Sequence, residues 1–274
     1  MRHDPRVHRG RALLLAVLAA AIPASPAWAE TLECLISPYL VTAVSFPTEG
    51  VLETVTVDRG DLVKQGQVLA TLESSAEKAT VALAAARARV ESGLKSSQVR
   101  FDFGVRKFER TDEMYKKNLV PLKDLDEAET QKLLAEVGLL EARENRGIAV
   151  LDLERARAFL AQRTLRSPIA GVVTERVLSP GEFVKGTAIA KLAQLDPLRV
   201  EVIAPVMMLG RITPGMQADV MPEAPVGGSY RARVTVVDRV VDAASGTFAV
   251  RLELANPQYR LPAGLKCKVR FPSR

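Results

Sequence analysis

Histidine and tryptophan are almost absent from this chain, and their positions decide what chemistry is open to it. Both histidines, His3 and His8, and the single tryptophan, Trp28, fall within the first 29 residues. Those residues run in the order of a secretory signal peptide. Arg2, Arg6, Arg9 and Arg11 come first, then an apolar run from Ala12 to Ile22, then Ala27-Trp28-Ala29 as a small-residue cleavage site. Cleavage after Ala29 is expected, leaving a chain that starts at Glu30. An uncleaved anchor is the competing reading, but the run is short of the roughly 20 residues a spanning helix needs. A lipoprotein fits less well, because Cys34 follows Leu32-Glu33 rather than small residues. No later stretch is expected to span a membrane. The exported chain would have no histidine, which excludes histidine acid–base catalysis and histidine metal ligation.

Charge of one sign is also scarce. Of the formal net charge of +6, the four leader arginines less Asp4 carry half. The remaining excess is too small to read as a nucleic-acid footprint, and no nucleic-acid partner is expected. Cysteine is limited to Cys34 and Cys267, one near each end of the mature chain. In an oxidising compartment they can form a disulfide, since both flanks read as strand and domain termini often lie close. The alternative is two buried thiols that never meet.

An internal repeat is what the sequence does contain. Gly50-Val51-Leu52 … Gly60-Asp61-Leu62-Val63-Lys64-Gln65-Gly66 matches Gly171-Val172-Val173 … Gly181-Glu182-Phe183-Val184-Lys185-Gly186. Each copy reads as short strands joined by glycine turns. Neither copy could bury a core alone, so the two are expected to pack into one β domain.

Between the copies the pattern is helical. Ser74 and Glu77 make a capping-box pattern, and no proline follows until Pro121. Leu94, Phe101, Phe108 and Tyr115 recur every seven residues, with Val90, Ser97, Gly104 and Thr111 as an offset small series. After Pro121 come Ala128, Ala135, Ala142, Ala149 and Ala156, with a partner series Leu125, Lys132, Leu139, Arg146, Leu153 and Leu160. These are coiled-coil heptads. Arms over 74–117 and 122–163, each roughly 65 Å long, predict an antiparallel hairpin turning at 118–122. Asn118 would stop the first helix in the left-handed region, and Pro121 cannot continue it.

From Leu195 the chain reads as a small antiparallel barrel. Strand-like runs at 198–204, 217–221, 230–237, 247–254 and 265–271 are separated by turn residues, with a helical turn or two at 205–211. The predicted layout is residues 1–29 signal peptide, 30–73 N-terminal strand and first β half, 74–163 hairpin, 164–194 second half and 195–274 barrel.

No phosphate loop, nucleophile elbow, Cys-x-x-Cys or metal-ligand cluster is present. With no histidine and few methionines, two of them adjacent at Met207-Met208, dedicated metal binding is not expected. Asp124, Asp126, Glu127 and Glu129 read as favourable acids at a helix N-terminus. No catalytic residue, cofactor or metal is expected.

The β repeat resembles the biotinyl/lipoyl fold. Lys78, the nearest lysine to the junction, lacks the carrier motif around it. Gly66-Gln67-Val68-Leu69-Ala70 and Leu165-Arg166-Ser167-Pro168-Ile169-Ala170-Gly171-Val172-Val173 flank the hairpin. In the tail stand Pro214-Gly215, Asp242 to Phe248, and Asn256-Pro257 with Pro262-Ala263-Gly264-Leu265. In this order, the parts are similar to the periplasmic adaptor, or membrane fusion (HlyD-like), family. The fold that the resemblance implies is α+β: a split lipoyl-like domain with an inserted helical hairpin, then a small β-barrel.

The resemblance also implies a non-enzymatic adaptor in the periplasm, held at the inner membrane by its transporter. Its partners would be an inner-membrane transporter of the RND or ABC type, a trimeric outer-membrane channel, and copies of itself in a ring of six. The export of small molecules is the leading implication. Secretion of a peptide, lipid or polysaccharide, or a non-transport scaffold, is the alternative. Channel docking falls at the hairpin tip on Arg110, Met114, Tyr115, Leu119, Val120 and Pro121. Many members have an arginine there, a leucine four residues on and a serine eleven on; here those positions are Arg110, Met114 and Pro121. A membrane-proximal domain built from both chain ends, present in many efflux adaptors, is not expected here.

Overall fold

A computed structural model describes residues 31–272. The predicted leader and its cleavage site lie outside the described residues.

The two copies of the repeat embrace each other through reciprocal hydrogen bonds. In the first copy, β1 (Thr31–Val44) leads to β2 (Gly50–Val55), β3 (Leu62–Val63) and β4 (Val68–Leu72). In the second, β5 (Thr164–Arg166), β6 (Gly171–Arg176) and β7 (Phe183–Val184) precede β8 (Ala190–Pro205). Leu52 N–H donates to Glu182 O (2.9 Å) and Leu52 O accepts from Gly181 N–H (2.8 Å). The mirror pair is Val173 N–H to Asp61 O (2.9 Å) and Gly60 N–H to Val173 O (2.8 Å). Strand pairing repeats the exchange: Gly50 opposes Val184, and Val63 opposes Gly171. Gly60 and Gly181, with φ of 94° and 90°, turn the chain through the left-handed region that a Cβ disfavours. Leu52, Leu69, Leu72, Val173, Val184 and Leu192 form part of the shared core.

The helical insertion leaves from β4 and returns at β5, strands that pair with each other, so the hairpin's base is pinned. The first arm is two helices, α1 (Ser75–Arg89) and α2 (Ser92–Lys116), rather than the single helix the heptads suggest. Val90 is extended (ψ 111°), and the following Ser92-Gly93 are poor helix formers, so the break falls there. The expected capping box is also corrected: Ser74 makes no side-chain cap, and Glu73 Oε1 accepts from Ser75 N–H (2.8 Å) instead. Glu77 is drawn away to Arg163.

The return arm α3 (Leu122–Ala161) is unbroken over 40 residues, about 60 Å. Its alanine heptad faces the first arm: Ala128 and Ala156 are buried, with Leu139 between them. At Gly104 an added Cβ would stand 3.1 Å from the Lys132 Cα, so the helix backbones nearly touch. The two basic residues that interrupt the apolar series are accommodated. Lys132 sits over the Phe108 ring at 5.0 Å, and Arg146 pairs with Glu91 at 2.9 Å.

The barrel has six strands and is closed. After a 3-10 turn at Val206–Met208 come β9 (Gln217–Pro222), β10 (Tyr230–Val237), β11 (Thr247–Leu254) and β12 (Leu265–Arg270). These four with β8 supply five strands; the sixth is the start of β1, which pairs with both β12 and β8. The boundary read at 195 is not a break in the backbone. β1 and β8 each run through both β units, their barrel ends in one core and their inner ends in the other. Period-two burial along β1, β8 and β11 is the physical basis of closure, since every second side chain faces in. Where the units meet, the buried Asn256 side chain bonds Leu195 O (3.0 Å) and Leu261 O (2.9 Å) and accepts from Leu261 N–H. Among the described residues no helix is long and apolar enough to cross a membrane.

Candidate functional site at the hairpin tip

The tip is built by a helix stop that the backbone closes on itself. Asn118 adopts φ 59°, and its N–H bonds Tyr115 O (2.8 Å), while Leu119 N–H bonds Met114 O (2.9 Å). That pair of bonds is a Schellman motif, which satisfies the last carbonyls of α2. Pro121, extended at ψ 159°, then serves as the N-cap of α3. Chain reversal therefore takes five residues, and apolar side chains are stranded in solvent. Leu119 is 66% exposed and Leu122 53%, with Met114 and Tyr115 more than a third exposed.

Of the six residues singled out at the tip, Met114, Tyr115, Leu119, Val120 and Pro121 are gathered at the turn. Arg110 stands one helical turn below Met114 on the same side of α2, the i, i+4 relation. Leu122, next in the chain after Pro121, is exposed and apolar as well and was not singled out from the sequence. Lys116 closes the last turn by donating to Asp112 (2.6 Å), and that bond raises its pKa above the ordinary lysine value.

The opposite pole is the free end of the barrel, where the start of β1, the end of β8 and the start of β11 meet. Cys34 and Cys267, directly opposed on β1 and β12, are joined there as a disulfide (S–S 2.11 Å, Cα–Cα 4.8 Å). Among the described residues no group of three or more His, Cys, Asp or Glu is placed to hold a metal ion. The arrangement offers surfaces rather than a reaction centre: a rigid split base, a long lever and an apolar tip.

Residues 40–193 match the CzcB-like barrel-sandwich hybrid domain, and residues 198–274 match the CusB-like β-barrel domain. The chain belongs to the membrane fusion, or periplasmic adaptor, family. It is 26% identical over 279 residues to a UPF0194 membrane protein of Acidithiobacillus ferridurans, covering 83% of this chain and 82% of that one. It is 25% identical over 217 residues to the cation efflux system protein CzcB of Alcaligenes sp. (strain CT14), covering 79% of this chain but only 39% of CzcB. The crystal structure of MacA from Actinobacillus actinomycetemcomitans has the same fold, with a TM-score of 0.72 at 19% identity, covering 89% of this chain and 78% of MacA. The family is one of adaptors, not enzymes, and the α+β architecture of split domain, hairpin and barrel is that of this adaptor.

Proposed function

We propose that this adaptor is exported to the periplasm, with cleavage after Ala29, and bridges an inner-membrane transporter to a trimeric outer-membrane channel in a tripartite efflux system for small molecules. The observation that carries the reading is polarity. One exposed apolar tip lies at the end of a helical lever about 60 Å long, and the lever springs from a base whose far side is the barrel. Met114, Tyr115, Leu119 and Val120 would meet the helical end of the channel, with Arg110 beside them. Pro121 stands where a hydroxyl-bearing side chain would be expected, so docking here relies on apolar contact. The barrel and split domain would face the transporter, in a ring of six copies.

Deleting the gene should sensitise cells to an exported compound, and Arg110→Asp with Met114→Asp should reproduce the defect while leaving the folded protein at normal abundance. Export that survives the double substitution would remove the tip from the docking surface. Loss of secretion of a peptide, lipid or polysaccharide, without drug sensitivity, would place the adaptor in a secretion system instead.

A further inference from the structure

The free end of the barrel is closed by a loop that is apolar on both sides. In the closed order β1-β12-β9-β10-β11-β8, strands β8 and β9 stand opposite each other. The end of β8 meets the start of β11 at Pro205 and Thr247, and the start of β9 lies toward the end of β10, with Gln217 opposite Arg233. Both therefore open at one mouth, and residues 206–216 have to cross it. Met208 and Ile212 turn inward into the barrel core and plug the mouth. Val206, Met207 and Leu209 turn outward and are exposed. Val206 N–H bonds Gly246 O (2.9 Å), which ties the loop to the β10–β11 hairpin. In that hairpin Val241 packs on the core and Val240 does not. Val240 (81% exposed) and Met207 (70%) are the most exposed large apolar side chains among the described residues. A plug needs apolar character only on its inner side; an apolar outer side implies something that covers it.

The free charges beside these side chains are basic. Arg211 stands within the loop and Arg239 precedes Val240. Both are exposed, and among the described residues neither has an ion-pair partner. The two acids of the hairpin end are committed or covered. Asp242 accepts from the Ala244 N–H of its own turn (2.9 Å), and Asp238 is partly buried. On the adjoining wall Asp219 is paired with Arg270 (3.4 Å).

The shape favours a fluid partner. The apolar side chains stand on two separate loops, and each loop would need its own matched hollow in a folded protein. A lipid interface closes around both and sets anionic headgroups beside the arginines. The path of the chain agrees. Thr31, opposite Arg270, starts at this same mouth, and the apolar leader run ends at Ile22. The intervening stretch can span at most about 30 Å, so before cleavage the mouth is tethered close to the bilayer.

We infer that the plugged mouth is a membrane foot. Val206, Met207, Leu209 and Val240 dip into the interface of the inner membrane, and Arg211 and Arg239 meet anionic phospholipid headgroups. The barrel wall stays free for the transporter. This deepens the proposed bridging role by naming what the barrel end stands on, and its placement rests on that reading.

The test is co-sedimentation of the exported full chain with phospholipid vesicles and no other protein. The chain should bind vesicles of phosphatidylethanolamine and phosphatidylglycerol, more weakly as salt rises. It should bind phosphatidylcholine vesicles at least roughly tenfold less well. Met207→Asp with Val240→Asp should lower the affinity by at least roughly tenfold. Arg211→Gln with Arg239→Gln should reduce binding on the anionic vesicles to the level seen with phosphatidylcholine. All four positions are exposed, and binding is scored only on soluble variants with a wild-type melt. A wild-type chain that stays in the supernatant with both vesicle types overturns the inference. So does a Met207→Asp, Val240→Asp variant that sediments as the wild type does. A photo-reactive amino acid at Met207 that joins inner-membrane protein and no lipid in cells would assign the mouth to the transporter and overturn it too. A tip-to-channel adduct without vesicle binding sinks the foot alone; vesicle binding without that adduct sinks the bridging reading alone.

Discussion

Replacing Arg163 with methionine keeps an aliphatic stem and removes the guanidinium that ties the hairpin to the split β domain. Arg163 Nη2 contacts Glu77 Oε1 at the foot of α1 (2.5 Å), and Nη1 donates to Glu49 O in the β domain (2.8 Å). Both charged side chains are 21% exposed, so solvent screens them only in part. A charge-assisted hydrogen bond contributes about 1.5–3 kcal/mol when buried, and discounting the two bonds together by roughly half for the wet rim leaves about 1.5–3 kcal/mol. At about 2–4 °C per kcal/mol for a chain of this size, the melting temperature should fall by about 3–12 °C. Far-UV circular dichroism at low salt reads that fall, which should shrink as salt rises. A double-mutant cycle with Glu77→Gln should give a coupling of at least about 1 kcal/mol. The same clamp explains Gly50: a Cβ there would lie 2.7 Å from Arg163 Nη1. Gly50→Ala should therefore be destabilising in the wild type and nearly silent beside Arg163→Met. Melting within about 1 °C of wild type, together with coupling near zero, would refute the clamp.

Other perturbations separate the remaining parts. Gly171→Ala puts a Cβ 2.1 Å from Ala193 O, so β6 and β8 must part; destabilisation at or above about 3 kcal/mol is expected, read as lost soluble yield or a lowered melt. Opening the Cys34–Cys267 bond frees a loop spanning 233 residues; chain entropy sets the loss at roughly 5 kcal/mol at most, and two reactive thiols on denatured, unreduced protein would contradict the bond itself. The Asp242 carboxyl is held below its ordinary 3.8 by the hydrogen bond from the Ala244 N–H, then by those from Ser245. Its stabilisation is thus present above pH 3.8 and lost as pH falls through the lower folded value. Asp242→Asn should loosen the 242–247 turn at neutral pH and make no difference in strong acid, as followed by amide exchange at Gly246.

The repeat was legible because its two copies contain the same turn glycines, and a reciprocal exchange of backbone bonds needs the same spacing on both sides. The hairpin was legible because heptads and Asn118 are local signals. What escaped was non-local. Around Thr31–Ile36 the possible pairing of Cys34 with Cys267 was the one hint that this stretch closes the barrel; its strand partners lie on β8 and β12, far along the chain. Ser74 and Glu77 have the spacing of a capping box, but Arg163, 86 residues away, outbids the backbone for the carboxylate.

At the tip, the turn could be read from Asn118 and Pro121, whereas the exposure of Leu119 and Leu122 could not. An apolar residue beside a heptad seam looks the same whether it faces in or out. The two sides of the barrel plug were hidden for a related reason: residues 205–211 read as a helical turn or two, and only the strand order shows Met208 facing in and Met207 out.

The central claim is that the tip meets an outer-membrane channel. A photo-reactive amino acid in place of Leu119, activated in intact cells expressing the full chain, tests it most directly. The account predicts a covalent adduct with a channel protein of the outer membrane, lost when Arg110→Asp and Met114→Asp are added. Adducts only with other copies of the adaptor or with inner-membrane protein, or the same channel adduct from Val240 on the barrel, would contradict it.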